Sequence, residues 1–551
     1  MSRTPTAVDR IADDILARYV VLDPIAATEI GVKGHDHEMT DLSPAGHAAR
    51  TELAREALHA LQAATPADDT DRVTVEAMAF TLGTQLALDD AGETLAPLNN
   101  LASPLQGIRD IFDLMATDTD EDWATIAARL RALPGSAAGY AESLRAAADA
   151  GRAPAVRQVE EGIKQAAELA DPSSSFFPTF VAAGPASLRA ELDAAAAGAT
   201  AAYAALAETL RELAPRAPRQ DAFGRDRYAM WSRYFVGATV DLDETYAWGL
   251  DQLAAITAEQ TAIARRIAGP GATVEDAIAK LDADPARKLH GTEELQRWMQ
   301  TTADSAIAAL DGRHFTIAEP LHRLECRIAP TQTGGIYYTG PSDDLSRPGR
   351  MWWSVPPEVE EFGTWRERTT VYHEGVPGHH LQVGTAVVNR DELNDFRRLA
   401  MWTSGHGEGW ALYAERLMAD LGFLDDDGDR LGMLDGQRMR ATRVVFDIGV
   451  HLGLPAPEEY GGGTWDADKA WELMKRNVHM AEGFNRFEWL RYLGWAGQAP
   501  SYLVGQRLWL EIREKARAAA AARGEEFDLP AFHTRALNLG SLPLEVLAKV
   551  V

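Results

Sequence analysis

Between Val371 and Gln382 the chain reads VYHEGVPGHHLQ, a His-Glu pair followed shortly by two more histidines. The zinc-peptidase motif H-E-x-x-H places its histidines at i and i+4, so that both rings leave one helical face toward one ion. Here Gly375, Val376, Pro377 and Gly378 intervene before His379 and His380. On a regular helix of about 100° per residue, His373 and His379 fall roughly 240° apart, whereas His373 and His380 share a face but lie about 10.5 Å apart along the axis. Neither pair suits an ion that needs its nitrogens at about 2.0–2.1 Å. Pro377 offers a way out, because it lacks an N–H and its ring clashes with the carbonyl of His373, so the hydrogen-bond ladder breaks or widens there. Gly378 beside it accepts conformations that other residues resist. A widened turn would bring His379 round to the face of His373. Alternatively, His379 and His380 merely begin a new helix and His373 is satisfied by a carboxylate.

Downstream residues bear on that choice. Glu408, in the helical segment GHGEGWALYAERLMADLG, shares a face with Glu415 two turns later. Glutamates flanked by Trp410, Leu412 and Tyr413 are costly to bury unless a cation or metal compensates them. Two histidines and Glu408 as ligands, with Glu374 free as general base, make the donor set of a catalytic zinc site with one open position. Arg443, Asp447 and His451 are spaced by four around the apolar VVFDIGVHLG, so they form a polar stripe on a buried helix, as groups supporting a metal site or touching substrate would. In GWAGQAPSYLVGQ, Gln498 and Tyr502 are again four apart, and the phenol is placed to polarise a scissile carbonyl.

The surrounding chain is mostly helical. Of its 551 residues 46% are hydrophobic, ample for a core, and apolar residues recur at helical spacing in AVDRIADDILARYV and EDWATIAARLRAL. Breaks are expected at AATPADDT, at ALPGS (132–136) and at DPSSSFFP (171–178), and prolines end a further helix in APRAPRQD. The texture changes in CRIAPTQTGGIYYTGPSDDLSRPGRMWWSVPPE, where aromatic and β-branched residues alternate with turn formers; this reads as a short β-hairpin or ribbon near 328–356. A β edge beside helices can hold an extended peptide through main-chain hydrogen bonds. The halves 1–238 and 239–551 are read as an N-terminal helical part and a catalytic part of one body.

A net charge of −28 argues against nucleic acid and against an anionic membrane surface as partners. The lone Cys326 reads as a passive buried thiol. Acidic charge near the N-terminus interrupts any signal-like apolar run, and nothing reaches the ~18 apolar residues of a membrane span, so a cytoplasmic location is the default expectation. DDDGD at 425–429 lacks the terminal Glu of a calcium loop and reads as a solvated turn. No G-x-S-x-G, Walker A or G-x-G-x-x-G stretch is present, which turns the reading away from serine hydrolases and nucleotide enzymes.

Four stretches together, H-E-x-x-P-G-H-H at 373–380, E-G-W-x-x-Y-x-E at 408–415, D-x-G-x-H at 447–451 and G-Q-x-x-x-Y at 497–502, resemble a bacterial family known only as domain of unknown function 885 over nearly the whole chain. That family in turn resembles the helical gluzincin metallopeptidases, the angiotensin-converting-enzyme-like and thermostable-type metallocarboxypeptidases. The resemblance implies a mostly α, elongated clamshell with a deep groove, one zinc ion at its floor and a short β element along one wall. Carried over, His373, His379 and Glu408 are the ligands and Glu374 the base. The Pro-Gly insertion departs from the plain H-E-x-x-H of that group and leaves His379 and His380 in competition for the second ligand position.

The function expected is a zinc-dependent peptidase acting on short peptides. Glu374 moves the proton, Tyr502 or His451 stabilises the oxyanion, and Arg347 or Arg350, in SRPGR, holds a substrate carboxylate, which favours carboxypeptidase or dipeptidase action. Tyr338, Gln498 and Arg443 are further substrate contacts, and Asp447 and Glu415 stand behind the ligands. Two rivals are carried: a metal-dependent amidohydrolase on a small amide or N-acyl metabolite, and a non-catalytic peptide-binding protein whose inserted turn abolishes metal binding.

Overall fold

A computed structural model describes residues 3–329, 335–356 and 359–551. Helices hold 68% of the chain and the strands are few and short, so the protein is mostly α. Two hydrophobic cores organise it. One is confined to residues between Ala96 and Leu213, where Trp123, Leu130, Phe177 and Tyr203 are enclosed by the helices Asp120–Asp149, Val156–Ala170 and Arg189–Leu213. The other joins the first helices, Ala7–Leu22 and Asp69–Asp90, to everything after Tyr228.

The break expected at ALPGS does not occur. Asp120–Asp149 runs on with Pro134 inside it. Its N-terminus is fixed by a capping box between Thr119 and Asp122, and the facing helix presents Gly198 to the proline ring. A helix packed along its apolar face tolerates the lost hydrogen bond, because tertiary contacts supply most helical stability.

The larger core is built on two long helix pairs. Leu242–Ala268 lies along Asp427–Leu452, and Ser404–Asp420 lies along Ser501–Ala522. The second pair meets backbone to backbone: a Cβ on Gly409 would stand 2.4 Å from the carbonyl carbon of Gly505. Only glycine permits that approach, and it fixes the height at which Glu408 and Tyr502 leave their helices. DDDGD contributes Asp426 as N-cap of Asp427–Leu452, its carboxylate accepting from the N–H groups of Gly428 and Asp429.

The expected hairpin is present as the antiparallel pair Ile336–Thr339 and Gly349–Trp353, with Ile336 opposite Trp353; residues 330–334 of the expected β span lie outside the described residues. A third strand, Leu324–Ile328, pairs in parallel on the other side of Gly349–Trp353, which is therefore the centre of the sheet. Alternation turns Leu324, Cys326, Met351 and Trp353 inward and sends Arg350 and Trp352 to the other face. Burial pushes the Cys326 thiol up to about 12, so it is an inert core residue.

Candidate metal centre

The quoted stretch forms two helices rather than one helix with an opened turn. Thr364–Glu374 ends where the N–H of Gly375 donates to Val371 O at 2.9 Å, and His379–Val388 begins four residues later. Between them lie a cis Val376–Pro377 bond and Gly378, whose N–H reaches back to Tyr372 O at 3.0 Å. A Cβ at position 378 would stand 1.8 Å from His373 O, so glycine is required for the chain to double back. Trp410 Nε1 donates to Pro377 O at 2.8 Å, and Leu324 and Met351 of the sheet pack against Gly375. The turn is thus held from a helix on one side and a sheet on the other.

The reversal sets the rings of His373 and His379 perpendicular, with centroids 4.9 Å apart. His380, beside them in sequence, faces the sheet. Burial pushes its pKa down to about 4, so it is neutral; Nε2–H donates to Leu321 O at 2.9 Å and Nδ1 accepts from the Tyr338 hydroxyl at 3.0 Å. Both nitrogens are used, and the competition for the second ligand position falls to His379.

Ligand atoms of His373, His379 and Glu408 all lie within 4.8 Å of one another. Glu408 Oε2 is 3.3 Å from His373 Nε2 and 3.5 Å from His379 Nε2. A tetrahedral ion with bonds of about 2.0–2.1 Å separates its ligands by about 3.3 Å, so the spacing fits zinc. The tautomer fits too. His373 Nδ1–H donates to Glu415 Oε1 at 2.8 Å, the other carboxylate oxygen of Glu415 accepts from Thr369 at 2.6 Å, and Nε2 points toward Glu408 and His379, where a metal would take the place of its proton. Without an ion the cluster holds protons instead. Burial opposes charge on His373, but the hydrogen bonds it donates to Glu408 and Glu415 outweigh it and raise the pKa to about 10, while the two histidines hold Glu408 well below the carboxylate range against its own burial. A divalent cation would substitute for that shared charge.

Glu374 lies beside this set and is buried. Burial raises its pKa, the nearby histidines and Arg440 pull the other way, and no side-chain hydrogen bond among the described residues occupies its carboxyl. Trp402, 48% exposed, leans over Gly407 with its ring 6.1 Å from that of His379, an apolar wall next to the ligands.

Other expected residues fall elsewhere. Asp447 does not stand behind the ligands: its carboxyl accepts from the Tyr228 hydroxyl at 2.6 Å and the Gly497 N–H at 2.9 Å, and burial pushes its pKa up to about 7. His451 cannot reach an oxyanion, because Nε2–H donates to Tyr492 O at 2.9 Å and the ring lies between Tyr228 and Phe223. Arg350 is turned by strand alternation to Glu325, at 3.0 Å, and Arg347 is spent on the carbonyls of Gly340 and Pro348. Tyr338 is engaged by His380. None of these three is free for substrate as expected.

Tyr502, Gln498 and Arg443 meet in a network whose other members the sequence did not single out. Arg491 Nη2 donates to Gln498 at 2.7 Å and approaches the Tyr502 hydroxyl at 3.5 Å, while the Arg443 guanidinium stacks 4.6 Å from the Tyr502 ring centre. Glu488 pairs with both arginines and accepts from Tyr492. Arg440 completes the group, 6.0 Å from the Tyr502 ring. In FNRFEWLRYLG, Glu488, Arg491 and Tyr492 sit at i, i+3 and i+4; that one-sided polar spacing was the available clue.

The family model of bacterial proteins of unknown function, DUF885, matches residues 24–551. No curated protein matches the chain. Among solved structures, a protein described as a "putative lipoprotein" from Colwellia psychrerythraea superposes with TM-score 0.84 at 21% identity, over 98% of this chain and 97% of that one. A "putative lipoprotein of unknown function" from Shewanella oneidensis gives 0.72 at 15% identity, over 99% of both chains. At these identities the likeness is one of fold.

Proposed function

We propose that this chain, which belongs to the DUF885 family of bacterial proteins, is a zinc-dependent peptidase that hydrolyses short peptides in the manner of the helical gluzincins. The observation that carries the reading is the convergence of His373, His379 and Glu408, whose ligand atoms lie within 4.8 Å of one another with Glu408 3.3 and 3.5 Å from the two imidazoles, and with Glu374 alongside and without a hydrogen-bond partner among the described residues. These three residues would hold one zinc ion, which supplies Lewis acidity to polarise a carbonyl and to acidify water toward a pKa of about 7.

The chain's own residues do the rest. Glu374 takes the proton of the attacking water and returns it to the leaving amine, a task suited to a buried carboxyl whose pKa burial raises. Tyr502 accepts from Arg491, so its O–H is free to donate to a developing oxyanion. Glu415 and Thr369 hold the His373 ring in one tautomer. Trp402 gives an apolar substrate side chain a surface beside the ligands.

The same wall suits an acyl chain, which supports a second reading as a metal-dependent amidohydrolase of N-acyl amino acids. Assaying the zinc-loaded protein on unmodified di- and tripeptides and on N-acyl amino acids separates the two. Cleavage of the peptides, lost in Glu374→Gln, is expected; cleavage confined to the N-acyl compounds selects the second reading, and no cleavage of either overturns both.

A further inference from the structure

We propose that Arg440, Arg443 and Arg491 form a recognition site for a substrate carboxylate, and this rests on the peptidase reading. Arg443 and Arg491 are both buried, 4% and 7% exposed, and share one equally buried partner, Glu488. Its oxygens are taken up by Arg443 at 2.9 Å, Arg491 at 3.0 Å and the Tyr492 hydroxyl. Arg440 brings a third cation, whose Nη1 donates to Gly436 O and which no carboxylate among the described residues pairs. Among the described residues only Glu488 pairs directly with these guanidiniums, and Glu374 and Asp447 act on them from further off, so positive charge exceeds its direct partners in a place that water reaches poorly.

Hydrogen bonding shows the same surplus. Arg440 Nε, Arg443 Nη1 and Arg491 Nε are enclosed N–H donors with no partner among the described residues. Buried donors and charges left unpaired are unfavourable, so a cluster of this kind calls for an anion with several acceptor oxygens. Guanidinium forks match a carboxylate.

Position gives the cluster its use. All three guanidiniums gather round Tyr502: Arg443 and Arg440 lie over its ring, and Arg491 reaches its hydroxyl. The helix that carries Arg440 and Arg443 packs against the helix that ends at His373 and Glu374. A carboxylate held here is anchored beside the base and the phenol, with the rest of the substrate directed to the ligand cluster. Two carboxylates of a peptide meet the description, the C-terminal one and an acidic side chain near the scissile bond. The first makes the protein an exopeptidase at the C-terminus; the second makes it selective for acidic peptides.

The test separates binding from turnover. A tripeptide of neutral residues is titrated calorimetrically into the zinc-loaded protein as free acid and as C-terminal amide, alongside an end-blocked tripeptide with Glu or with Gln at its centre; hydrolysis of each is then followed. The free acid, or the blocked Glu peptide, is expected to bind about 10- to 100-fold more tightly than its neutral twin, and whichever pair differs names the carboxylate. Arg440→Met, at a half-buried position, should abolish most of that difference. Equal binding within both pairs, or an unchanged preference in Arg440→Met, overturns the proposal. Preferential binding without hydrolysis leaves the carboxylate site standing and overturns the peptidase reading alone.

Discussion

Glu415 Oε1 lies 2.8 Å from Nδ1 of His373, with Thr369 holding the other oxygen of the same carboxylate at 2.6 Å. The pairing does more than satisfy a buried histidine. By accepting from Nδ1–H it keeps that proton on Nδ1 and leaves Nε2 as the nitrogen that would face a metal, and it does so from the helix that supplies Glu408 one face-sharing interval earlier. Glu415→Gln should therefore keep the fold yet weaken zinc binding about 10- to 100-fold, read by competition with a chromogenic chelator. Unchanged affinity would mean that the pair serves packing only.

On the proposed function, substitution of Glu374 separates metal binding from catalysis. Glu374→Gln keeps shape and loses the proton carrier. Zinc content should stay at the wild-type value while kcat on a cleavable tripeptide falls by about 100- to 10,000-fold. A parallel loss of zinc would place Glu374 among the ligands instead.

At Gly378 even one methyl group collides with His373 O, 1.8 Å away. Gly378→Ala should cost on the order of 3 kcal/mol or more in urea unfolding and abolish zinc binding with it, because the reversal that joins His379 to His373 cannot form. A stable, zinc-binding variant would show that the turn has another route.

How much of this was readable beforehand depends on what decides each feature. The helical body, the hairpin and the concentration of donor residues in VYHEGVPGHHLQ are local matters of periodicity, turn residues and donor chemistry, and those are written in the chain. Pro377 marked the place where the helix stops, but whether it opens a turn or ends the helix is settled by Trp410, Leu324 and Met351, which arrive from elsewhere. Likewise, His379 and His380 differ only in which neighbour each meets, and Tyr338 and Leu321 make that choice. Arg350 looked free because strand alternation relative to Glu325 depends on a parallel partner strand that starts well upstream. Asp447 and His451 share a helical stripe with Arg443, yet the stripe is met by Tyr228 and Gly497 toward one end and by Glu488 toward the other, and no spacing rule contains that.

Asp447 provides a pH test. Its folded pKa, raised to about 7 by burial, exceeds the unfolded value of about 3.9. Between those values the native state holds a proton that the unfolded state has released, so the stability due to this group is complete below about pH 4 and is lost as pH rises to about 7. Asp447→Asn keeps an acceptor for Tyr228 and Gly497 and removes the titration. Stability of the variant minus that of the wild type should thus rise by about 1.4 kcal/mol per pH unit from pH 4 to 7 and level off above, in urea titrations across the range. A flat difference would show that Asp447 is ionised throughout.

On the proposed function, His373, His379 and Glu408 hold a metal while His380 does not. Zinc stoichiometry of the protein purified without chelators after zinc-replete expression, compared with His379→Ala and His380→Ala, tests it most directly. One zinc per chain is expected in the wild type, none in His379→Ala and one retained in His380→Ala. A wild-type chain without zinc, or a His379→Ala variant that keeps it, would rule out this ligand set.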